Sequence, residues 1–259
     1  MLNTRVFPTL LYRQNRGLWK GRSFEDHRYV GDVLNAIRIY NHNQVDELCL
    51  LDISAGEQGR CISTDLVEKA STECTMPLAA GGGIRNANQA AKIINAGAEK
   101  VVLNSILFEN LSVITEISDR YGSQAIVASI DAKRSGQNHY DVYSHNGTIR
   151  QDVDLVDFAR RCEDAGAGEL LLTSIDAEGR MDGYDTELIA RVTNAVDIPL
   201  IANGGGTLGK FRPALDAGAS ALTAGAAFVF FGPRRAVLIN FPDDELVEAE
   251  LQSHTADNL

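Results

Sequence analysis

The chain states one pattern twice, and this duplication narrows the fold more than any other feature. Leu50-Leu51-Asp52-Ile53, Pro77-Leu78-Ala79-Ala80-Gly81-Gly82-Gly83 and Lys100-Val101-Val102-Leu103-Asn104-Ser105 occur in that order. They recur as Ser174-Ile175-Asp176, Pro199-Leu200-Ile201-Ala202-Asn203-Gly204-Gly205-Gly206 and Ala221-Leu222-Thr223-Ala224-Gly225-Ala226, each 121 to 124 positions later. A repeat close to half of 259 residues, with apolar runs ending in glycine, points to a barrel with half-barrel pseudo-symmetry. It also predicts two equivalent anion sites, and hence a substrate with a phosphate at each end.

Short apolar runs alternate with helical patterns along the chain, as parallel strands with helical crossovers do. Strands are expected near Arg5–Leu10, Glu47–Asp52, Pro77–Ala80, Lys100–Leu103, Ala125–Ile130, Glu169–Thr173, Pro199–Ala202 and Ala221–Ala224. Helices are expected over Asn86–Ala96, Leu111–Tyr121, Val153–Ala165, Asp185–Ala195 and Leu208–Ala217. Eight such units make a (βα)8 TIM barrel, a single domain over residues 1–259. Three helices end in Ala-Gly-Ala (Gly97, Gly166, Gly218), where glycine supplies the left-handed turn into the next strand. Asn86 and Asp185 fit N-caps. From about residue 243 the chain turns acidic and polar, which reads as a terminal helix and a frayed tail.

A formal charge of −11 argues against nucleic-acid and anionic-membrane partners. The N-terminal residues show no hydrophobic signal segment, and no apolar run nears the ~20 residues of a membrane span, so a cytoplasmic protein is expected. The four cysteines form no CxxC pattern, and three of them fall in or beside strands or helices, where small buried thiols are common, while the histidines (His27, His42, His139, His145, His254) are scattered. Neither a metal nor a cofactor is expected.

Barrel chemistry sits at the C-terminal ends of the strands. Asp52, Gly81–Gly83, Asn104, Asp131, Thr173 to Asp176, Gly204–Gly206 and Gly225 all fall there. Successive amides in glycine turns form anion nests, though one triplet alone is equally a tight turn. Asp131 is a general acid–base group, or else it caps the following loop or pairs with Lys133. Asp52 and Asp176 are symmetry mates that either serve the site or hold loops at the barrel mouth. Arg5, Glu47, Lys100 and Glu169 start strands one, two, four and six. Such charges either face solvent or converge on the axis as a ring that closes a central passage. Lys20 lies in the glycine-containing loop Arg16-Gly17-Leu18-Trp19-Lys20-Gly21, where it either closes over a phosphate or has no role.

Three phrases carry a family resemblance: Ala128-Ser129-Ile130-Asp131-Ala132-Lys133-Arg134, Leu172-Thr173-Ser174-Ile175-Asp176-Ala177-Glu178-Gly179, and Gly183-Tyr184-Asp185-Thr186-Glu187. With Gly81-Gly82-Gly83-Ile84 and Asp46-Glu47-Leu48, the chain resembles the cyclase subunit of imidazole glycerol phosphate synthase (the HisF family) from Arg5 to about Phe230. The resemblance implies a barrel docked by its floor on a glutaminase (HisH-like) subunit as a heterodimer. Ammonia would travel up the axis to a doubly phosphorylated ribulosyl carboxamide nucleotide. A lyase and cyclisation step then yields imidazole glycerol phosphate and an aminoimidazole ribotide. Asp131 matches a catalytic aspartate, and Arg5, Glu47, Lys100 and Glu169 match the ammonia gate. Gly83, Asn104 and Ser105 match one phosphate site; Gly179, Gly204, Gly205, Gly225 and Ala226 match the other, with Lys20 and Asp176 among the substrate-binding positions.

One departure stands out. The family carries a second catalytic aspartate at the end of strand one, and this chain has Leu11, which transfers no proton. Losing one acid–base partner, a contribution of about 10²–10⁴-fold, should cripple the ordinary reaction. The segment Gly232-Pro233-Arg234-Arg235-Ala236-Val237-Leu238-Ile239-Asn240 resembles a paralogous, second-copy branch. That branch channels ammonia for amidination of a nucleotide-linked sugar in surface-polysaccharide synthesis.

Overall fold

A computed structural model describes residues 4–137 and 139–252. Eight strands form the barrel: β1 Arg5–Arg13, β2 Leu48–Asp52, β3 Leu78–Gly81, β4 Lys100–Leu103, β5 Ile126–Gly136, β6 Glu169–Ser174, β7 Leu200–Asn203 and β8 Ala221–Ala224. Each pairs in parallel with the next in chain order, and β8 pairs back onto β1 with Arg5 opposite Ala221, so the sheet closes. The strand side chains alternate between two buried sets. Val6, Leu10, Leu50, Ala80, Val101 and Leu103 face outward into a core shared with the helices. Phe7, Cys49, Ala79, Val102, Val127, Leu171, Ile201 and Ala221 fill the inside. Burial on both faces explains why these strands read as continuous apolar runs.

The crossover helices begin where a short polar side chain can accept from an orphan amide. Asn86 accepts from the Gln89 amide at 2.9 Å, ahead of Ala87–Asn95. Asp185 accepts from the Leu188 amide at 3.0 Å, ahead of Thr186–Thr193. Gly97, Gly166 and Gly218 share φ values of 104°, 103° and 103°, so the three Ala-Gly-Ala phrases are one helix ending used three times. The expected helix over Leu208–Ala217 is shorter, Arg212–Asp216. Pro213 starts it within the first turn, and Glu250 of the terminal helix Asp244–Gln252 accepts from the Gly209 amide at 2.7 Å instead. The expected frayed tail, with His254, lies outside the described residues.

Two extensions correct the sequence reading and shape the barrel mouth. Where a glycine-containing loop was expected after strand one, β1 continues to Arg13 and turns into an antiparallel ribbon, Gly17–Arg22 and Glu25–Gly31. Likewise β5 runs on to Gly136 and pairs with His139–Ser144, which pairs with Ile149–Gln151. Leu18 and Val30, 1% and 5% exposed, anchor the first ribbon to the core. Its short alternation is hidden in a polar, glycine-bearing segment. The two ribbons meet over the mouth, where Gly147 packs against the Phe24 ring.

Candidate active site

A cavity of about 270 Å³ opens at the C-terminal ends of the strands. Because β5 alternates, Ser129 and Asp131 both point into it while Ile130 faces the helices. Asp131 is 8% exposed. Asn104, at the end of β4, donates through Nδ2 to Asp131 Oδ2 and to the Ser129 carbonyl, both at 3.1 Å. Burial pushes the Asp131 carboxyl up to about 7, against the hydrogen bonds from Thr173 and Asn104 and with the help of the nearby Glu178 charge. The group is therefore poised to exchange a proton near neutral pH.

Other expected residues fall into three places. Gly83, Asn104 and Ser105 line the cavity together. Ser105 Oγ accepts from the His145 amide at 3.2 Å, tying this turn to the β5 ribbon. Gly83 has φ 63°, and a side chain there would collide with the Arg60 carbonyl.

Gly179, Gly204, Gly205, Gly225 and Ala226 are buried but are not among the residues that line the cavity, and of these Gly179 and Gly225 lie against the β1 ribbon. Gly204 and Gly205 hold φ of 91° and 89°. A β-carbon at Gly179 would strike the Gly21 carbonyl, and one at Gly225 would strike the Lys20 ammonium. Lys20, 3% exposed, thus lies at the edge of this second glycine turn, ion-paired with the buried Glu178. The Asp176 carboxylate accepts from the Arg134 amide at 2.8 Å, which braces β5 against the loop after β6. Its symmetry mate Asp52 is held by Arg60 at 2.5 Å and by the Ser54 amide and hydroxyl at 3.0 and 2.7 Å.

The third place is the opposite end. There Arg5 bridges Glu47 and Glu169, the latter at 2.6 Å, while Lys100 bridges Glu47 at 3.0 Å and Glu169 at 2.8 Å. Two acids and two bases alternate in a closed ring across the barrel floor. Each charge has two opposite neighbours, which offsets the cost of removing it from water.

The sequence reading assigned no role to Arg13, His27, Arg85, His145 or Glu178, all of which line the cavity, and it placed Asn203 only within the β7 phrase. Arg13 Nε and Asn203 Oδ1 are buried and have no partner among the described residues. Burial, with the charges of Arg13 and Lys20, lowers the His27 pKa and favours its neutral ring. The signal for Glu178 was its place in the phrase after β6; that for Arg13 and His27 was absent until the ribbon folded back.

A (βα)8 barrel with a buried carboxyl in a cavity at the C-terminal ends of its strands is the architecture of a barrel enzyme. The chain belongs to the histidine biosynthesis protein family, whose profile matches residues 5–232. It is 44% identical over 229 residues to the imidazole glycerol phosphate synthase subunit HisF of Exiguobacterium sibiricum, covering 88% of this chain and 91% of that one. It is 40% identical over 252 residues to a Leptospira interrogans protein named "Putative imidazole glycerol phosphate synthase subunit HisF", covering 96% and 99%. A Pseudomonas aeruginosa protein named "Putative imidazole glycerol phosphate synthase subunit hisF2" is 41% identical over 247 residues, covering 94% and 97%. The chain is thus an enzyme subunit of the HisF type. No described helix is long and apolar enough to cross a membrane.

Proposed function

We propose that this barrel is the ammonia-using subunit of a glutamine-dependent synthase with a HisH-like glutaminase as partner. Ammonia released at the floor passes the ring of Arg5, Glu47, Lys100 and Glu169 and rises along the axis. At the mouth it meets a ribulosyl carboxamide nucleotide held by one phosphate at Gly83, Asn104 and Ser105. The other phosphate sits at Gly179, Gly204, Gly205, Gly225 and Ala226, beside Lys20. Asp131 exchanges the protons that lyase and cyclisation chemistry requires, giving imidazole glycerol phosphate and an aminoimidazole ribotide. The observation that carries this reading is the buried Asp131, its carboxyl pushed up to about 7, in the same cavity as Gly83, Asn104 and Ser105. The test is direct: purified chain, saturating ammonium and the nucleotide, with both products followed by chromatography. Absence of either product sinks the reading.

A second reading has the same barrel pass ammonia onward for amidination of a nucleotide-linked sugar. Leu11 at the cavity wall favours it, because it stands where the family carries an aspartate. A glutaminase-coupled assay that releases ammonia at the mouth but never consumes the nucleotide would select this second reading.

A further inference from the structure

Leu11 leaves the cavity one proton-transfer group short, yet the cavity contains a second buried carboxyl. Five acids line it: Asp52, Glu57, Glu109, Asp131 and Glu178. Asp52 is committed to Arg60 and Ser54, and Glu57 and Glu109 are exposed on the rim. Glu178, 5% exposed, remains. It stands on the loop after β6, next to Gly179 of the second glycine turn. Lys20 from the β1 ribbon holds one of its oxygens, Oε1. Leu11 and Lys20 come from paired strands of the same ribbon, since Leu11 is opposite Trp19. Leu11 and Glu178 both line the cavity, Glu178 from the neighbouring loop. The titratable groups that interact with it are Lys20, His27 and Asp131, with the buried Tyr184 hydroxyl.

We propose that Glu178 is the second proton-transfer residue of this enzyme, taking the duty that Leu11 cannot perform. The inference rests on the synthase reading above. As ammonia adds to the ribulosyl ketone, the nitrogen lone pair forms the C–N bond and the carbonyl π pair moves to oxygen. Asp131 gives its proton to that oxygen, and the Glu178 carboxylate takes one proton from the new ammonium group. In the dehydration that follows, Glu178 returns its proton to the departing hydroxyl, a nitrogen proton goes back to Asp131, and water and an imine result. Both carboxyls end as they began. The contact with Lys20 holds Glu178 in place until substrate arrives.

The alternative is that the Lys20–Glu178 pair only clamps the ribbon to the barrel, and the test separates the two. Steady-state kinetics with saturating ammonium are measured for the native chain, Glu178→Gln, Glu178→Asp and the double change Glu178→Gln with Leu11→Asp. Proton transfer predicts that Glu178→Gln lowers kcat by about 10²-fold or more, with KM changed little, and removes one limb of the pH profile. Glu178→Asp should recover part of kcat. The double change should recover at least tenfold over Glu178→Gln, because a carboxylate is again present at the mouth. Lys20→Met with Glu178→Gln leaves no unpaired buried charge and guards against misfolding; its kcat should stay low with a melting temperature near native. An unaltered kcat and pH profile in Glu178→Gln would overturn the proposal while leaving the synthase reading intact, and so would no recovery in the double change. A native chain that never consumes the nucleotide would overturn both.

Discussion

Asn104 Nδ2 lies 3.1 Å from Asp131 Oδ2, so the residue just after β4 tunes the carboxyl that ends the inward run of β5. This bond favours the ionised form and partly opposes the effect of burial. Asn104→Leu removes it. The Asp131 titration should move further above 7, by up to about one unit, since one such bond is worth about 1 kcal/mol. Carbon-13 NMR titration of the aspartate carboxyls reads this shift.

Asp131→Asn should reduce turnover by about 10²–10⁴-fold, the usual worth of a general acid–base group. An unimpaired variant returns Asp131 to the role of a loop cap.

The same carboxyl links pH to stability. Its folded pKa, about 7, lies above the ordinary aspartate value of 3.8, so the folded chain binds the proton more tightly. Between those values the folded state carries more protons than the unfolded state, and stability falls as pH rises across the window. The loss is on the order of a few kcal/mol. Urea unfolding at pH 5 and pH 8 should show a decline in the native chain and a smaller one in Asp131→Asn.

At the floor, Glu47 is 1% exposed and faces both Arg5 and Lys100. Glu47→Gln leaves two cations sharing one carboxylate, and destabilisation near the lower end of about 3–5 kcal/mol is expected. Glutamine-driven turnover should fall more than ammonium-driven turnover, because only the former relies on passage through the ring. Equal losses would make the ring a structural cluster alone.

Gly205 holds φ 89°, and a side chain there would collide with the Gly183 carbonyl, whose residue in turn donates its amide to Gly205 at 2.9 Å. Gly205→Ala should cost about 1–3 kcal/mol of stability. It should also raise the KM for a phosphorylated substrate. Inhibition of the native chain by inorganic phosphate, weakened in the variant, reads the site without turnover.

Much of this molecule was legible in one dimension. The internal repeat and its alternation of apolar runs with helical patterns placed all eight barrel strands. These strands are buried on both faces, and that burial leaves an unmistakable hydrophobic run. Gly97, Gly166 and Gly218 marked helix ends because only glycine takes their backbone angles cheaply. Asp131 and the four floor charges were visible as polar residues at the two ends of those runs.

The ribbons were not visible in this way. Their strands bury from none to three side chains each, so local pattern carries little of their energy; pairing with distant strands carries the rest. That folding-back brings Lys20 to Glu178 across 158 positions and seats both against Asp131's cavity. Local sequence names the ionisable groups, but their chemistry depends on burial and on which charge lies a few ångströms away. Those quantities exist only once the chain has closed on itself.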